Sequence, residues 1–404
     1  MSTSHRRCRG VVVVLLVLVT LVVAGAERRL LGGEADARTA VGFYELPASI
    51  PPGAPGQIIK REPLLGAPLG STAYRVVYHS RDLRGRDIPV SGVVVVPAWP
   101  AGPEGRTVVS WAHPTTGAAA HCAPSLGIDP FLAIEGMHEL LAAGYAIAAT
   151  DYPGLGVAGE SSYLLSVPES NSVLDAARAA REILGAEAND RLLLWGHSQG
   201  GQAALVAAER AAAYAPELKL QGVAVAAPAA DLGVLMTDDI DTMAGVTIAA
   251  YAVSAYQQAY AADYPDHELD AILTPEGAAV TPRVVDLCLL TQSDAIHAVA
   301  GPYIGRYVTS NPATTPPWSR LLDVNSAGHS PIDVPVFVGQ GLADTLVRPT
   351  ATEGYVARLC AAGTDVGLHT YAGIDHGLAA YASIPRLMEW LATIDDGRRP
   401  ASTC

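Results

Sequence analysis

At 404 residues, half of them hydrophobic, the chain carries enough apolar material for a large core, and its length fits one enlarged domain or a domain with a cap. That composition excludes a disordered or low-complexity protein. The formal charge of −14 makes nucleic acid and anionic lipid headgroups poor partners, because the field repels both.

In chain order, Arg6, Arg7 and Arg9 precede an apolar run over residues 11–23 that ends in Ala24, Gly25 and Ala26. This reads as a secretory signal over residues 1–26, cleaved after Ala26. The run falls short of the roughly 20 apolar residues of a membrane span, and no second run of spanning length follows. An exported protein with no stable membrane anchor is expected, its charge moved to −17 by the loss of three arginines and no acids. Cys8 leaves with the signal. The remaining Cys122, Cys288, Cys360 and Cys404 are even in number, which in an exported chain favours disulfides, with three connectivities open. No CxxC or HExxH spacing occurs, so neither a metal nor any other cofactor is expected. Residues 27–60 read as an irregular lead-in.

Short β-branched or apolar runs follow at 73–78, 92–96, 107–111, 146–149, 192–195, 222–226, 334–338 and 367–371. Helix-forming blocks rich in Ala, Leu and Glu lie at 131–143, 171–184, 202–214, 352–361 and 385–393. Hairpin-linked strands followed by alternating strands and helices predict an α/β protein with a mostly parallel sheet and helices on both faces. The interval 235–331 breaks that rhythm with helical patterns and turn clusters such as "SNPATTPPW", and it is too long for a structureless loop. The expected organisation is a core of residues 27–234 and 332–404 with a helical cap over 235–331. Within that cap Tyr251, Tyr256, Tyr260 and Tyr264 recur at near-helical spacing, a pattern that favours inter-helix packing over a binding surface.

The chemistry concentrates in "RLLLWGHSQGGQAAL", residues 191–205. A buried strand enters Gly-x-Ser-x-Gly and a helix leaves it, so Ser198 sits on a sharp strand-to-helix turn that requires small residues at Gly196 and Gly200. A serine hydroxyl needs a base, and the base needs an acid to orient it. Asp344 in "GQGLADTLVRP" and His376 in "AGIDHGLAA" each follow a strand, which puts both at the same sheet edge as Ser198. The alternatives are weaker. His197 should point away around the turn, Asp375 adjoins the histidine it would have to hold, His369 lies inside a strand, and Asp333 lies at the wrong end of one. "GHSPI" at Ser330 has no strand entering it.

These residues, together with "SWAHPTTGAAAHCAPS" (residues 110–125), "ATDYPGLG" (149–156) and the order Ser, Asp, His, resemble the α/β-hydrolase fold and more narrowly the bacterial secretory lipase family related to the fungal lipase A type. The resemblance implies a triad of Ser198, Asp344 and His376. It also implies oxyanion donors at the backbone NH of Gln199 and of Thr115, with Thr116 as the alternative. Pro114 stands where that family more often has glycine, which leaves the path of this loop open. "DYPGLG" would shape the pocket mouth or serve as a turn only. Cys122 beside this loop and Cys288 in the cap would pin the base of the cap, leaving Cys360 to join Cys404. The implied activity is hydrolysis of acyl esters, acylglycerols among them, through an acyl-enzyme. Peptidase or acyltransferase action with the same triad, and lipid binding on an inactive hydrolase scaffold, are the competing readings.

Overall fold

The computed structural model describes residues 29–404 except 41 and 265–267. The signal segment and its cleavage site lie outside the described residues. The lead-in is not irregular throughout. It contains a helix, α1 (residues 29–40), and a strand, β1 (Ile58–Pro63). Gly32 and Gly33 hide the helix, since glycine lowers helix propensity. Both are needed for close approach: a Cβ on Gly32 would lie 2.8 Å from the Gly66 nitrogen, and one on Gly33 would lie 2.2 Å from the Ile128 carbonyl. Asp36, buried on the inner face of α1, accepts the NH groups of Leu65 and Gly66 at 3.0 and 2.8 Å. The strand β1 is a half-exposed edge with mixed polarity, so it lacked a clean alternating pattern.

Nine strands form one sheet in the order β1-β2-β3-β5-β4-β6-β7-β8-β9. Here β2 is Ser71–Arg81, β3 Asp87–Pro97, β4 Arg106–Ala112, β5 Ala146–Thr150, β6 Ala188–His197, β7 Lys219–Ala226, β8 Val336–Gly341 and β9 Val366–Tyr371. The pairs β1–β2, β2–β3 and β3–β5 are antiparallel, and every pair from β5 to β9 is parallel. The central strands are apolar on both sides because helices cover both faces. Alternate residues divide between two cores. Val108, Leu192, Leu194, Val223, Val225, Val336 and Val338 face α3 (Ser166–Leu184), α4 (Gln199–Tyr214) and α10 (Pro349–Ala361). Val109, Trp111, Leu193, Trp195, Ala224 and Phe337 face α2 (Met137–Ala142) and α11 (Ala379–Asp395). The helix α2 is shorter than its apolar block, because Gly136 takes φ of 84° and breaks the turn before it. Strand β8 starts two residues later than its β-branched run and extends through Gly339 and Gln340, which pair with His369 and Thr370 of β9.

Between β7 and β8 run α5 (Leu232–Asp239), α6 (Met243–Ala259), α7 (Pro275–Val285), α8 (Leu289–Ala300) and α9 (Trp318–Asn325). They share a core of their own that also takes in Tyr163, Leu164 and Leu165 from the segment preceding α3. Tyr251 and Tyr256 are buried there, and Tyr256 stacks on Trp318 with ring centroids 5.6 Å apart. The tyrosine stripe is therefore mainly packing. Disulfides join Cys122 to Cys288 and Cys360 to Cys404. The first ties the N-terminus of α8 to the loop after β4, and the second ties the tail to α10. Among the described residues no helix is long and apolar enough to cross a membrane.

Candidate active site

Strand β6 delivers the chain to Ser198, which holds φ 56° and ψ −117° just before α4 begins. A non-glycine residue there is strained, and the surrounding close contacts hold it. A Cβ on Gly196 would lie 2.2 Å from the Gly200 carbonyl oxygen, and one on Gly200 would lie 1.9 Å from that of Ala112. Neither glycine tolerates a side chain. The turn is anchored by the Ser198 NH, which donates to the Ala226 carbonyl at 3.0 Å.

Asp344 follows β8 and His376 follows β9, so parallel pairing brings both loops to the rim that carries Ser198. His376 Nε2 lies 2.8 Å from Ser198 Oγ, and His376 Nδ1 lies 2.8 Å from Asp344 Oδ2. The Asp344 side chain is fully buried. Its Oδ1 accepts the NH groups of Leu346 and Val347, each at 2.9 Å, bonds that fix the orientation of the carboxyl group. With Nδ1–H donating to that carboxylate, Nε2 is free to accept the serine proton. The other candidates do different work. Asp375 caps the turn after it by accepting the Leu378 NH at 3.2 Å. His369 stacks on Phe337 at 4.6 Å, its pKa lowered by burial. Asp333 is exposed ahead of β8, and Ser330 is exposed in a loop.

His197, the neighbour of Ser198, is more than a spacer. Its Nε2 donates to the His376 carbonyl at 3.0 Å, and its Nδ1 lies 3.0 Å from Glu135 Oε2. Glu135 thus braces, through His197, the loop that carries His376. Glu169 is a second such residue. It is fully buried on α3, and its Oε1 accepts Gln199 Nε2 at 2.6 Å and the Leu164 NH at 3.1 Å. Burial raises its pKa far above the usual carboxylate range, against the lowering effect of those two bonds. No sequence pattern pointed to Glu135 or Glu169, which lie 62 and 30 residues from their partners.

Gln199 is the first residue of α4, where a backbone NH has no partner within the helix. Thr115 lines the same cavity as Ser198 and Gln199, and its hydroxyl bonds that of Tyr163 at 2.9 Å. Thr116 does not line that cavity; its carbonyl accepts the Leu289 NH at 2.8 Å. The loop accommodates Pro114 because His113 Nδ1 bonds the Pro114 carbonyl at 2.7 Å, while the Tyr152 hydroxyl donates to the His113 carbonyl at 2.9 Å. Tyr152 of "DYPGLG" therefore supports this loop from beneath.

The cavity runs from Ser198 into the helical insertion between Leu164, Leu232, Leu235, Met236, Ile240 and Ile248, and Asp239 also lines it. Among the described residues His121, Cys122 and Cys288 are the one trio of close metal-type donors. The two sulfurs are bonded to each other and are not thiolates.

Residues 132–402 match the model of the secretory lipase family. The chain belongs to that family. This span takes in Ser198, Asp344 and His376. A protein from Mycobacterium tuberculosis named as a probable inactive lipase is 26% identical over 372 residues, 86% of this chain and 80% of its own length. Candida antarctica lipase A superposes with a TM-score of 0.75 at 20% identity, over 90% of this chain and 87% of that one. A rice cell wall degrading esterase from Xanthomonas oryzae superposes at 0.71, also with 20% identity, over 86% and 100%. At these identities the structures establish the α/β-hydrolase fold. Membership of the secretory lipase family supports ester hydrolysis as the class of chemistry and export as the destination.

Proposed function

We propose that the chain is a secreted serine carboxylic-ester hydrolase, of lipase or esterase type, that works through an acyl-enzyme. The observation that carries this reading is the hydrogen-bonded run from Ser198 Oγ through His376 to Asp344, at 2.8 Å for each link. His376 Nε2 takes the proton as Ser198 Oγ attacks the ester carbonyl carbon. The carbonyl oxygen becomes an oxyanion facing the backbone NH groups of Gln199 and Thr115, each such donor being worth roughly 10² to 10³ in rate. Asp344 holds the imidazole in the required tautomer and stabilises its positive charge. When the tetrahedral species collapses, His376 protonates the departing alcohol and the acyl group stays on Ser198. Water then enters, His376 takes its proton, and a second oxyanion collapses to release the acid and return the proton to Ser198.

The helical insertion, residues 235–331, is the cap in this reading, and the apolar cavity beneath it receives the acyl chain. An apolar lining suits an acyl ester better than a charged peptide, because stripping water from a charge costs far more than burying a methylene. Cleavage of the signal after Ala26 completes the proposed path to export. The test is turnover of acyl esters beside matched aminoacyl amides. Esters should be cleaved, with Ser198→Ala lowering kcat on the order of 10⁴- to 10⁶-fold. Faster cleavage of the amides, or transfer to an added alcohol exceeding hydrolysis, would replace the esterase reading with a peptidase or an acyltransferase. The relative named as a probable inactive lipase gives one further reading, a lipid-binding protein on the same scaffold. Retention of bound ester without turnover would favour it.

A further inference from the structure

The cavity beside Ser198 is lined by leucines, isoleucines, methionine and tyrosines, with one carboxyl set among them, that of Asp239. Asp239 is the last residue of α5 and only 5% of its surface is exposed. Its carbonyl is engaged, accepting the Thr242 NH at 2.7 Å and the Thr242 hydroxyl at 2.8 Å. A Cβ on Gly245 would lie 1.8 Å from that carbonyl oxygen, so the turn that presents Asp239 is tightly constrained. The carboxylate itself has no hydrogen-bond or ion-pair partner among the described residues, unlike that of Asp344 nearby. The adjacent cation is committed elsewhere: Arg348 donates to the Asp238 carbonyl at 2.9 Å and lies 3.5 Å from Asp238 Oδ1.

The carboxylate oxygens are not closed off from solvent, so water entering the cavity can satisfy them while no chain is bound. A purely apolar chain in this cavity would seal the carboxylate from water and give it nothing in return. We propose that Asp239 is a specificity residue that accepts a hydrogen bond from a hydroxyl group on the substrate chain, so that the preferred esters are hydroxylated rather than plain acyl esters. This rests on the ester-hydrolase reading above. A hydroxyl suits the site better than an ammonium group, because the surrounding lining would strip a cation of its water. A hydroxyl can also pair with either protonation state of the carboxyl. Burial first of all pushes the Asp239 pKa up to about 6, with Arg348 opposing and Asp238 and Asp344 adding to the rise.

The experiment compares kcat/KM for p-nitrophenyl octanoate with that for its monohydroxy isomers, the hydroxyl walked along the chain, and with an amino-substituted analogue. The wild-type protein should favour at least one hydroxylated isomer over the plain ester by about tenfold or more, the scale of a hydrogen bond to a charged acceptor. Asp239→Leu should bring that ratio to within about twofold of unity, chiefly by improving the plain ester, and Asp239→Asn should give an intermediate ratio. Fluorophosphonate labelling of each variant reports whether its elbow has folded. Equilibrium binding of octanediols against octanol reads the same preference without turnover, so a protein that cleaves no ester still tests Asp239 while failing the reading beneath it. No preference for any hydroxylated isomer, a ratio unchanged in both variants, or a stronger preference for the amino analogue would each overturn the proposal.

Discussion

The rim of the sheet and the cavity under the helical insertion treat a buried carboxylate in opposite ways. At the rim Asp344 is sealed from water, yet both of its oxygens are bonded, to the Leu346 and Val347 NH groups and to His376. In the cavity Asp239 is almost as buried and has no bonded partner among the described residues. The first arrangement suits a group that must not move during a reaction, since its orientation is settled before substrate arrives. The second leaves a hydrogen bond to be made by whatever enters. On the proposed reading, geometry for bond breaking is held by backbone and sheet register, whereas selectivity is left to side chains of the inserted helices.

The largest way to break the comparison is at the rim. Asp344→Asn should keep the fold but lower kcat by about 10⁴-fold, because an amide NH₂ facing Nδ1 selects the wrong imidazole tautomer. Steady-state kinetics on a short acyl ester checks it, and a loss below tenfold would mean that Asp344 does not orient His376. Next is the tie between the two regions. Cysteine-to-alanine changes at Cys122 and Cys288 together should lower stability by about 2–5 kcal/mol, read by thermal unfolding. Their bond is the covalent link between the loop of Thr115 and α8. A smaller effect is expected behind the rim. Glu135→Gln should lower kcat about tenfold with KM nearly constant, since His197 would hold the His376 carbonyl less firmly and small misplacements of a catalytic group are costly. An equal change in KM instead would place Glu135 in substrate binding.

The smallest effect sharpens the cavity side. Asp239 faces the charges of Asp238, Arg348 and Asp344, and its pKa is pushed up to about 6. Below that pH the carboxyl is neutral and tolerates an apolar chain; above it the group is ionised and does not. The ratio of kcat/KM for the plain ester to that for a hydroxylated one should therefore rise severalfold as pH falls through about 6. Taking a ratio removes any pH effect common to both substrates. A ratio independent of pH between roughly 5 and 7.5 would show that Asp239 does not contact the chain.

Much of the rim could be read from the sequence because local chemistry and strand order specify it together. Gly196 and Gly200 bracket Ser198 in a turn that few other residues could form, and Asp344 and His376 each follow a strand. The parallel sheet was equally legible from runs of β-branched residues alternating with alanine-rich blocks. Long-range partners were not. Glu135, Glu169 and Asp239 sit in helices or turns with no distinguishing neighbours, and their roles arise only when chain folding brings them against His197, Gln199 and the cavity. Edges were also obscured. The exposed strand β1 pairs on one side only, and α1 carries two glycines required by contacts far along the chain. At the loop after β4 the sequence favoured Thr115 over its neighbour; Thr115 lines the cavity, whereas the Thr116 carbonyl accepts the Leu289 NH.

The proposed function requires Ser198 to be a nucleophile activated by His376 and Asp344. Peptide-level mass spectrometry after treatment of the folded protein with a fluorophosphonate tests this directly. One adduct is expected, on Ser198, absent in Ser198→Ala and strongly slowed in His376→Ala. Folded protein that stays unlabelled, or that carries its adduct on another serine, would contradict it.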